Sequence, residues 1–139
     1  MKNRTEEDKD LLGIVRDSSV VLPVDEVDAI CMGVELVPYR LFRQEKYRFD
    51  FRVCEPAEYE SIMLQLYVRW NPAWARKGVP RRAKLWQLIH TAQDRELRKG
   101  QKIRKSMFVG KIFLCRLRTA TTATGIPYSV VDTVTKKLT

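Results

Sequence analysis

Apolar and polar residues alternate with a period of two along parts of this chain, a pattern typical of half-buried β-strands. The clearest stretch is 46–53, where one face is aromatic and aliphatic and the other face is charged. The apolar face holds Tyr47, Phe49, Phe51 and Val53, and the charged face holds Lys46, Arg48, Asp50 and Arg52. Residues 61–70 alternate in the same way, so the sequence predicts a second strand of this kind there.

Four further elements are predicted around these two strands. Residues 33–43 form a strand in which Pro38 marks an edge or a bend. Apolar residues recur three and four apart at 82–98, which predicts a helix. Residues 107–119 form the fourth strand. Residues 128–134 are β-branched enough for a fifth strand, with a short terminal helix as the alternative.

The predicted order is strand, strand, strand, helix, strand, strand. Over roughly residues 33–135 this order resembles the OB fold, a five-stranded, partly open barrel. We therefore expect a mainly β domain with one helix, built as a five-stranded OB-like small barrel over residues 31–139. Another small barrel, or an antiparallel sheet covered by one helix, would give a similar order. Residues 1–30 are expected to be an acidic N-terminal extension, partly disordered, which could also add a strand to the domain edge.

Charge divides the chain into two unlike parts. Residues 1–60 carry nine Lys/Arg and fourteen Asp/Glu, whereas residues 61–139 carry seventeen Lys/Arg and three Asp/Glu. The net charge is therefore −5 in the first part and +14 in the second. A polarity this steep attracts polyanions, so nucleic acid is the expected partner.

The resemblance to OB folds implies single-strand binding, in which Lys and Arg neutralise phosphates while bases stack on aromatic rings. Ten residues are candidates for this interface. They are Arg48 and Arg52 on strand 2, Tyr67 and Arg69 on strand 3, Trp74, Arg76 and Lys77 in the following loop, and Lys111, Arg116 and Arg118 on strand 4. Tyr67 and Trp74 are the candidates for stacking. A second basic cluster occupies 102–105.

Catalysis, metal ions and cofactors are not expected. The chain has three cysteines, Cys31, Cys54 and Cys115, without a CxxC pair, and its one histidine is His90. Because a zinc site needs about four such ligands, we predict no metal. No phosphate-binding glycine loop and no nucleophile–base pair stands out, so we predict that the protein is not an enzyme. The polar N-terminus and the absence of an 18-residue apolar run predict a cytoplasmic protein without a membrane partner.

Residues 110–119, followed by Tyr128-Ser129-Val130-Val131, are similar to the end of certain small uncharacterised proteins of phages and mobile elements. This similarity implies a role near DNA replication or transfer and carries over no catalytic residue. Binding of single-stranded DNA is the expected function. The alternatives are an RNA-binding ribonucleoprotein component, and an adaptor whose acidic N-terminal region and basic body contact separate protein partners.

Overall fold

The computed structural model describes residues 21–39, 44–93 and 97–139. Five β-strands and two α-helices make up most of this part of the chain. The strands are β1 (Glu26–Tyr39), β2 (Gln44–Glu55), β3 (Met63–Trp70), β4 (Ile112–Thr121) and β5 (Pro127–Lys137). Between β3 and β4 lie a single-turn helix, α1 (Trp74–Lys77), and the main helix, α2 (Lys84–Gln93). None of the helices in these ranges is both long and apolar enough to pass through a bilayer.

The five strands form one open antiparallel sheet in the order β3-β2-β1-β4-β5. The long strand β1 lies at its centre and pairs with β2 on one side and β4 on the other. The two edge strands β3 and β5 approach each other, with Cα atoms within 8 Å, and α2 contacts both of them. The predicted mainly β class, its strand number and its one main helix are therefore confirmed.

A register shift between Cys31 and Gly33 interrupts the pairing of β1 with β2. An extra residue in one strand bends and twists it locally. The ladder between β1 and β4 ends just before this point, at Ile30 and Ile112. The backbone of Cys31 then bonds to the turn before β4, accepting from the Gly110 N–H and donating to the Lys111 carbonyl. The shift thus marks where β1 leaves β4 and continues along β2.

The core lies on one face of the sheet, under α2. Alternate residues of β2 and β3 are buried there, as their apolar alternation predicts: Phe49, Phe51, Val53, Leu64, Leu66 and Val68. The helix buries the residues that recur three and four apart: Leu85, Leu88, Ile89 and Ala92. The apolar faces of these strands and of the helix pack against each other, so the sheet and the helix share one core.

The first strand starts earlier than its prediction. The predicted strand was 33–43, whereas β1 begins at Glu26, and residues 40–43 lie outside the described residues. The predicted boundary between residues 30 and 31 falls inside β1, whose Val27 and Ala29 are almost fully buried. Residues 1–20, the larger part of the expected extension, also lie outside the described residues.

The predictions for the second half of the chain differ from the structure mainly at their ends. The helix predicted at 82–98 is described from Lys84 to Gln93. Residues 94–96 lie outside the described residues, and residues 97 and 98 are not helical. The strand predicted at 107–119 begins only at Ile112, because a short 3-10 helix and a turn at Gly110, with φ of 83°, precede it. The fifth strand is confirmed and is longer than predicted.

Candidate nucleic-acid interface

A cleft of about 950 Å³ lies beside the two helices. We call it the tryptophan cleft, because all three tryptophans of the chain line it: Trp70 at the end of β3, Trp74 in α1 and Trp86 in α2. Its other walls are the segment 75–81, Ile89 and the segment 97–104. Its volume is in the range of about 300–1,000 Å³ that is common for ligand sites.

The chain reversal after β3 brings two of these tryptophans together. Asn71 and Pro72 end the strand, and the Asn71 side-chain oxygen accepts a hydrogen bond of 3.0 Å from the Ala73 N–H. This bond closes a turn of the kind that asparagine favours. One helical turn later, Gly78 ends α1 with φ of 89° and donates its N–H to the Trp74 carbonyl at 3.0 Å. Trp74 is therefore held directly beside Trp70.

The aromatic rings of this region form a row from the core to the cleft. Tyr47 meets Trp70 with ring centroids 5.2 Å apart, and Trp70 meets Trp74 at 5.8 Å, both edge to face. On α2, Trp86 stacks with His90 at 5.3 Å, and the Arg81 guanidinium lies 5.7 Å from the Trp86 ring centroid. Trp70, Trp74 and Trp86 are each only partly buried.

Seven exposed cations surround these rings. They are Arg76, Lys77, Arg81, Arg98, Lys99, Lys102 and Arg104. Among the described residues that line the cleft, none is acidic, and no ion pair engages any of these seven side chains within the described ranges. A low-dielectric wall lined by charges of one sign concentrates the field in front of it. The described lining of the cleft is therefore cationic.

On the opposite face of the sheet, Arg48, Arg116 and Arg118 have acidic neighbours, whereas no described ion pair includes Arg52 or Arg69. We call this surface the outer sheet face; it carries the side chains of β1 to β4 that alternate with the buried row. Arg48 pairs there with Glu35 at 3.0 Å and with Asp50 at 3.1 Å. Burial alone would lower the pKa of Arg48, but Asp50 and Glu35 outweigh it and raise the pKa above its ordinary value. This guanidinium is already satisfied within the fold.

The same holds in part for the other candidates on the outer sheet face. Arg118 pairs with Asp132 at 3.4 Å, and Arg116 stands directly across the ladder from Glu26. The Tyr67 hydroxyl donates to the side-chain oxygen of Gln65 at 3.2 Å.

The structure thus divides the ten predicted interface residues into three groups. Three of them line the tryptophan cleft: Trp74, Arg76 and Lys77. Six lie on the outer sheet face: Arg48, Arg52, Tyr67, Arg69, Arg116 and Arg118. Lys111 precedes β4 and lines neither surface.

Sequence reasoning missed much of the cleft. The missed residues are Trp70, Trp86, Arg81, Arg98, Lys99, Lys102 and Arg104. The basic cluster at 102–105 indicated a cationic surface. Its position in the same cleft as Trp74 depends on the tertiary fold, which the sequence pattern does not show. Trp70 lies in register with the core-facing residues of β3, so the alternating pattern predicts that it is buried. The pattern does not indicate that Trp70 also lines the cleft.

Metal ligation finds no support in the described part of the chain, where no three His, Cys, Asp or Glu side chains come together. All three cysteines are free thiols. Burial raises the pKa of Cys31 to about 11 and that of Cys115 to about 12, so neither is a reactive thiolate. Comparisons with protein-family models and with curated proteins find no match to this chain. The interpretation of function is therefore based on the cleft itself.

Proposed function

We propose that this protein binds single-stranded nucleic acid in the tryptophan cleft, without catalysis. The observation that carries the proposal is the combination of three indoles with seven cations in one cleft, where the described residues supply no acidic wall and no ion pair to these cations. Single-strand binding uses these two ingredients, since cations neutralise the backbone and rings stack with bases of any identity. A duplex would keep its bases inside and could not use the rings.

The outer sheet face is the competing location, because OB folds bind oligonucleotides over strands 2 and 3. Two facts favour the cleft. Arg48 on the outer sheet face is held by Glu35 and Asp50, and a phosphate would have to displace these carboxylates. The cleft cations have no such competitor within the described residues. We therefore place the nucleic acid in the cleft.

We also propose that the sheet closes as an OB-type barrel. The strand order and the helix position between β3 and β4 support this, as does the approach of the edge strands β3 and β5 to within 8 Å. The resemblance to phage and mobile-element proteins that we expect from residues 110–119 and Tyr128-Ser129-Val130-Val131 is our reason for proposing DNA rather than RNA. Three free thiols suit a reducing compartment, so a cytoplasmic location belongs to the proposal.

The test is fluorescence anisotropy with single-stranded DNA, duplex DNA and RNA of one sequence, over a series of salt concentrations. Two triple variants, which each lower the net charge by three, separate the two surfaces. The cleft variant is Arg81→Gln, Arg98→Gln and Lys102→Gln. The matched sheet variant is Arg52→Gln, Arg116→Gln and Arg118→Gln.

We expect single strands to bind more tightly than the duplex. The cleft variant should lower the slope of log affinity against log salt by about 2, roughly 0.7 for each phosphate that is no longer neutralised. The sheet variant should keep the wild-type slope. A lower slope in the sheet variant alone would move the interface to the outer sheet face. Absence of any binding at about 0.1 M salt would end the proposal.

A further inference from the structure

A second cavity, of about 270 Å³, adjoins the tryptophan cleft at the end of the core. Its walls are apolar and mostly aromatic, and we call it the apolar pocket. The walls are Val34, Tyr47, Phe49, Trp70, Leu85 and Phe108. Ile103, Arg104 and Lys105 complete the lining, and these three residues are exposed. The pocket is therefore an apolar recess with two cations beside it.

The apolar pocket and the cleft lie side by side. Trp70, Ile103 and Arg104 line both of them. The row of edge-to-face rings crosses the same boundary, since Tyr47 lines the pocket, Trp70 lines both spaces and Trp74 lines the cleft. A strand that lies in the cleft at Trp70 and Arg104 is therefore next to the pocket.

We infer that the apolar pocket takes one base of the bound strand, turned out of the stack of its neighbours. The inference rests on the proposed function. A base is flat and apolar on its faces, which suits walls made of rings and aliphatic side chains. The backbone on either side of that base is anionic, and Arg104 and Lys105 stand where its phosphates would lie. No other part of a nucleotide chain fits an apolar recess beside two cations.

The walls also determine how selective the pocket is. Reading a base by its edge requires fixed hydrogen-bond donors and acceptors. Apart from the two cations, the lining has two polar side-chain groups, the hydroxyl of Tyr47 and the indole N–H of Trp70. Moreover, the described residues contain no buried side-chain polar atom that lacks a hydrogen-bond partner and could await a base. The pocket therefore holds a base by stacking and shape, and it accepts all four bases.

The experiment removes one base at a time from the strand. The shortest single-stranded DNA that keeps full affinity is identified first. On a strand of that length the protein cannot slide to another position without losing contacts to phosphates. Each of its positions is then replaced by an abasic nucleotide, and affinity is measured by anisotropy with the wild-type protein. One position should lose about tenfold or more, and every other position should lose less. Exchange among the four bases at that position should change affinity less than about threefold.

A pocket-filling variant links that position to the pocket. Val34→Phe places a ring into the cavity from β1. Leu36→Phe is its control, since Leu36 lies two residues further along β1, is 46% exposed and does not line the pocket. In Val34→Phe, the abasic nucleotide at the sensitive position should no longer weaken binding. In Leu36→Phe, it should weaken binding as much as it does in the wild-type protein.

The outcomes separate this inference from the proposed function. An even loss at all positions, with the parent oligonucleotide still bound, would overturn the pocket and leave single-strand binding intact. Strong preference for one base at the sensitive position would also overturn it, because the mostly apolar walls are expected to hold a base by stacking and shape. If the parent oligonucleotide does not bind, the proposed function fails and the pocket fails with it. The abasic series on the wild-type protein decides the question even if Val34→Phe does not fold.

Discussion

The ring of Trp74 meets the ring of Trp70 edge to face, with centroids 5.8 Å apart and planes at 90°. Trp70 ends the core-facing row of β3, and Trp74 begins α1, so this contact joins the core to the cleft. In such an arrangement each ring keeps at least one face that the other does not cover. The pair is thus anchored by the fold and still has a ring face to offer a base.

Replacement of Trp74 by alanine tests that role. Trp74→Ala should weaken binding of every single-stranded sequence by about 1–3 kcal/mol, the usual contribution of one stacked base. Stability should fall less than affinity, because Trp74 is only partly buried and belongs to a single helical turn. Anisotropy and urea unfolding on the same samples measure the two effects.

Tyr67→Ala is the matched control for that variant. Tyr67 was the other predicted stacking residue, and it is 46% exposed on the outer sheet face. The cleft proposal expects its loss to leave affinity unchanged within about twofold. If Tyr67→Ala weakens binding as much as Trp74→Ala does, the strand also contacts the outer sheet face.

The ion-pair network of Arg48 predicts an effect on stability alone. Arg48 bridges Glu35 on β1 and Asp50 on its own strand, and Asp50 also accepts a bond from Gln65 at 3.4 Å. Arg48→Met removes the cation and leaves two carboxylates close together. We expect a loss of about 1 kcal/mol in the free energy of unfolding, with no change in affinity for single strands.

The control for Arg48→Met is Arg52→Met on the same strand and face. Arg52 is exposed, and no described ion pair includes it. Its replacement should change the free energy of unfolding by less than about 0.5 kcal/mol. Equal losses in the two variants, measured by urea unfolding, would show that the network contributes nothing of its own.

The sequence was informative wherever one face of an element is buried and the other is not. β2 and β3 follow from strict alternation, and α2 follows from apolar residues three and four apart. The start of β1 was missed, because Glu26 and Asp28 made the segment read as an acidic tail. In the structure these acids alternate with the buried Val27 and Ala29, so the same alternation was present there.

The cleft was harder to predict, because loops build most of it. Trp74 with its basic neighbours was recognised from composition and from the prolines around it. The segment 97–104 has no periodic pattern of apolar residues from which its position in the fold could be predicted. It lines the same cleft as Trp74, a tertiary arrangement that local pattern does not encode.

A buried hydrogen bond ties the segment before β1 to the far edge of the sheet. The Leu22 N–H donates to the Ser129 hydroxyl oxygen on β5 at 2.9 Å, and Leu22 is itself buried. Ser129→Ala leaves this N–H without its acceptor, which should lower the free energy of unfolding by about 1–3 kcal/mol. Ser106→Ala, at an exposed serine, is the control and should be neutral. Equal stability of both variants would mean that water replaces the lost hydroxyl.

The three thiols give two predictions, one on their reactivity and one on the pH dependence of stability. Burial is the main reason that the pKa values of Cys31 and Cys115 rise to about 11 and about 12 from an ordinary value of 9.0. Cys54 is only partly buried. At about pH 8, iodoacetamide should therefore alkylate Cys54 alone in the folded protein and all three thiols in urea, as counted by mass spectrometry. Rapid alkylation of Cys31 or Cys115 without urea would contradict the burial.

The same raised pKa values set the direction of the stability change. Between about pH 9 and pH 11 the unfolded chain releases thiol protons that the folded chain retains. The contribution of each buried thiol is therefore complete below pH 9. It is lost above that pH at up to about 1.4 kcal/mol per pH unit. Urea unfolding at rising pH should show a shallower decline in Cys115→Ala than in the wild type, because one such thiol is gone. Identical slopes would mean that Cys115 ionises as easily in the folded sheet as in the unfolded chain.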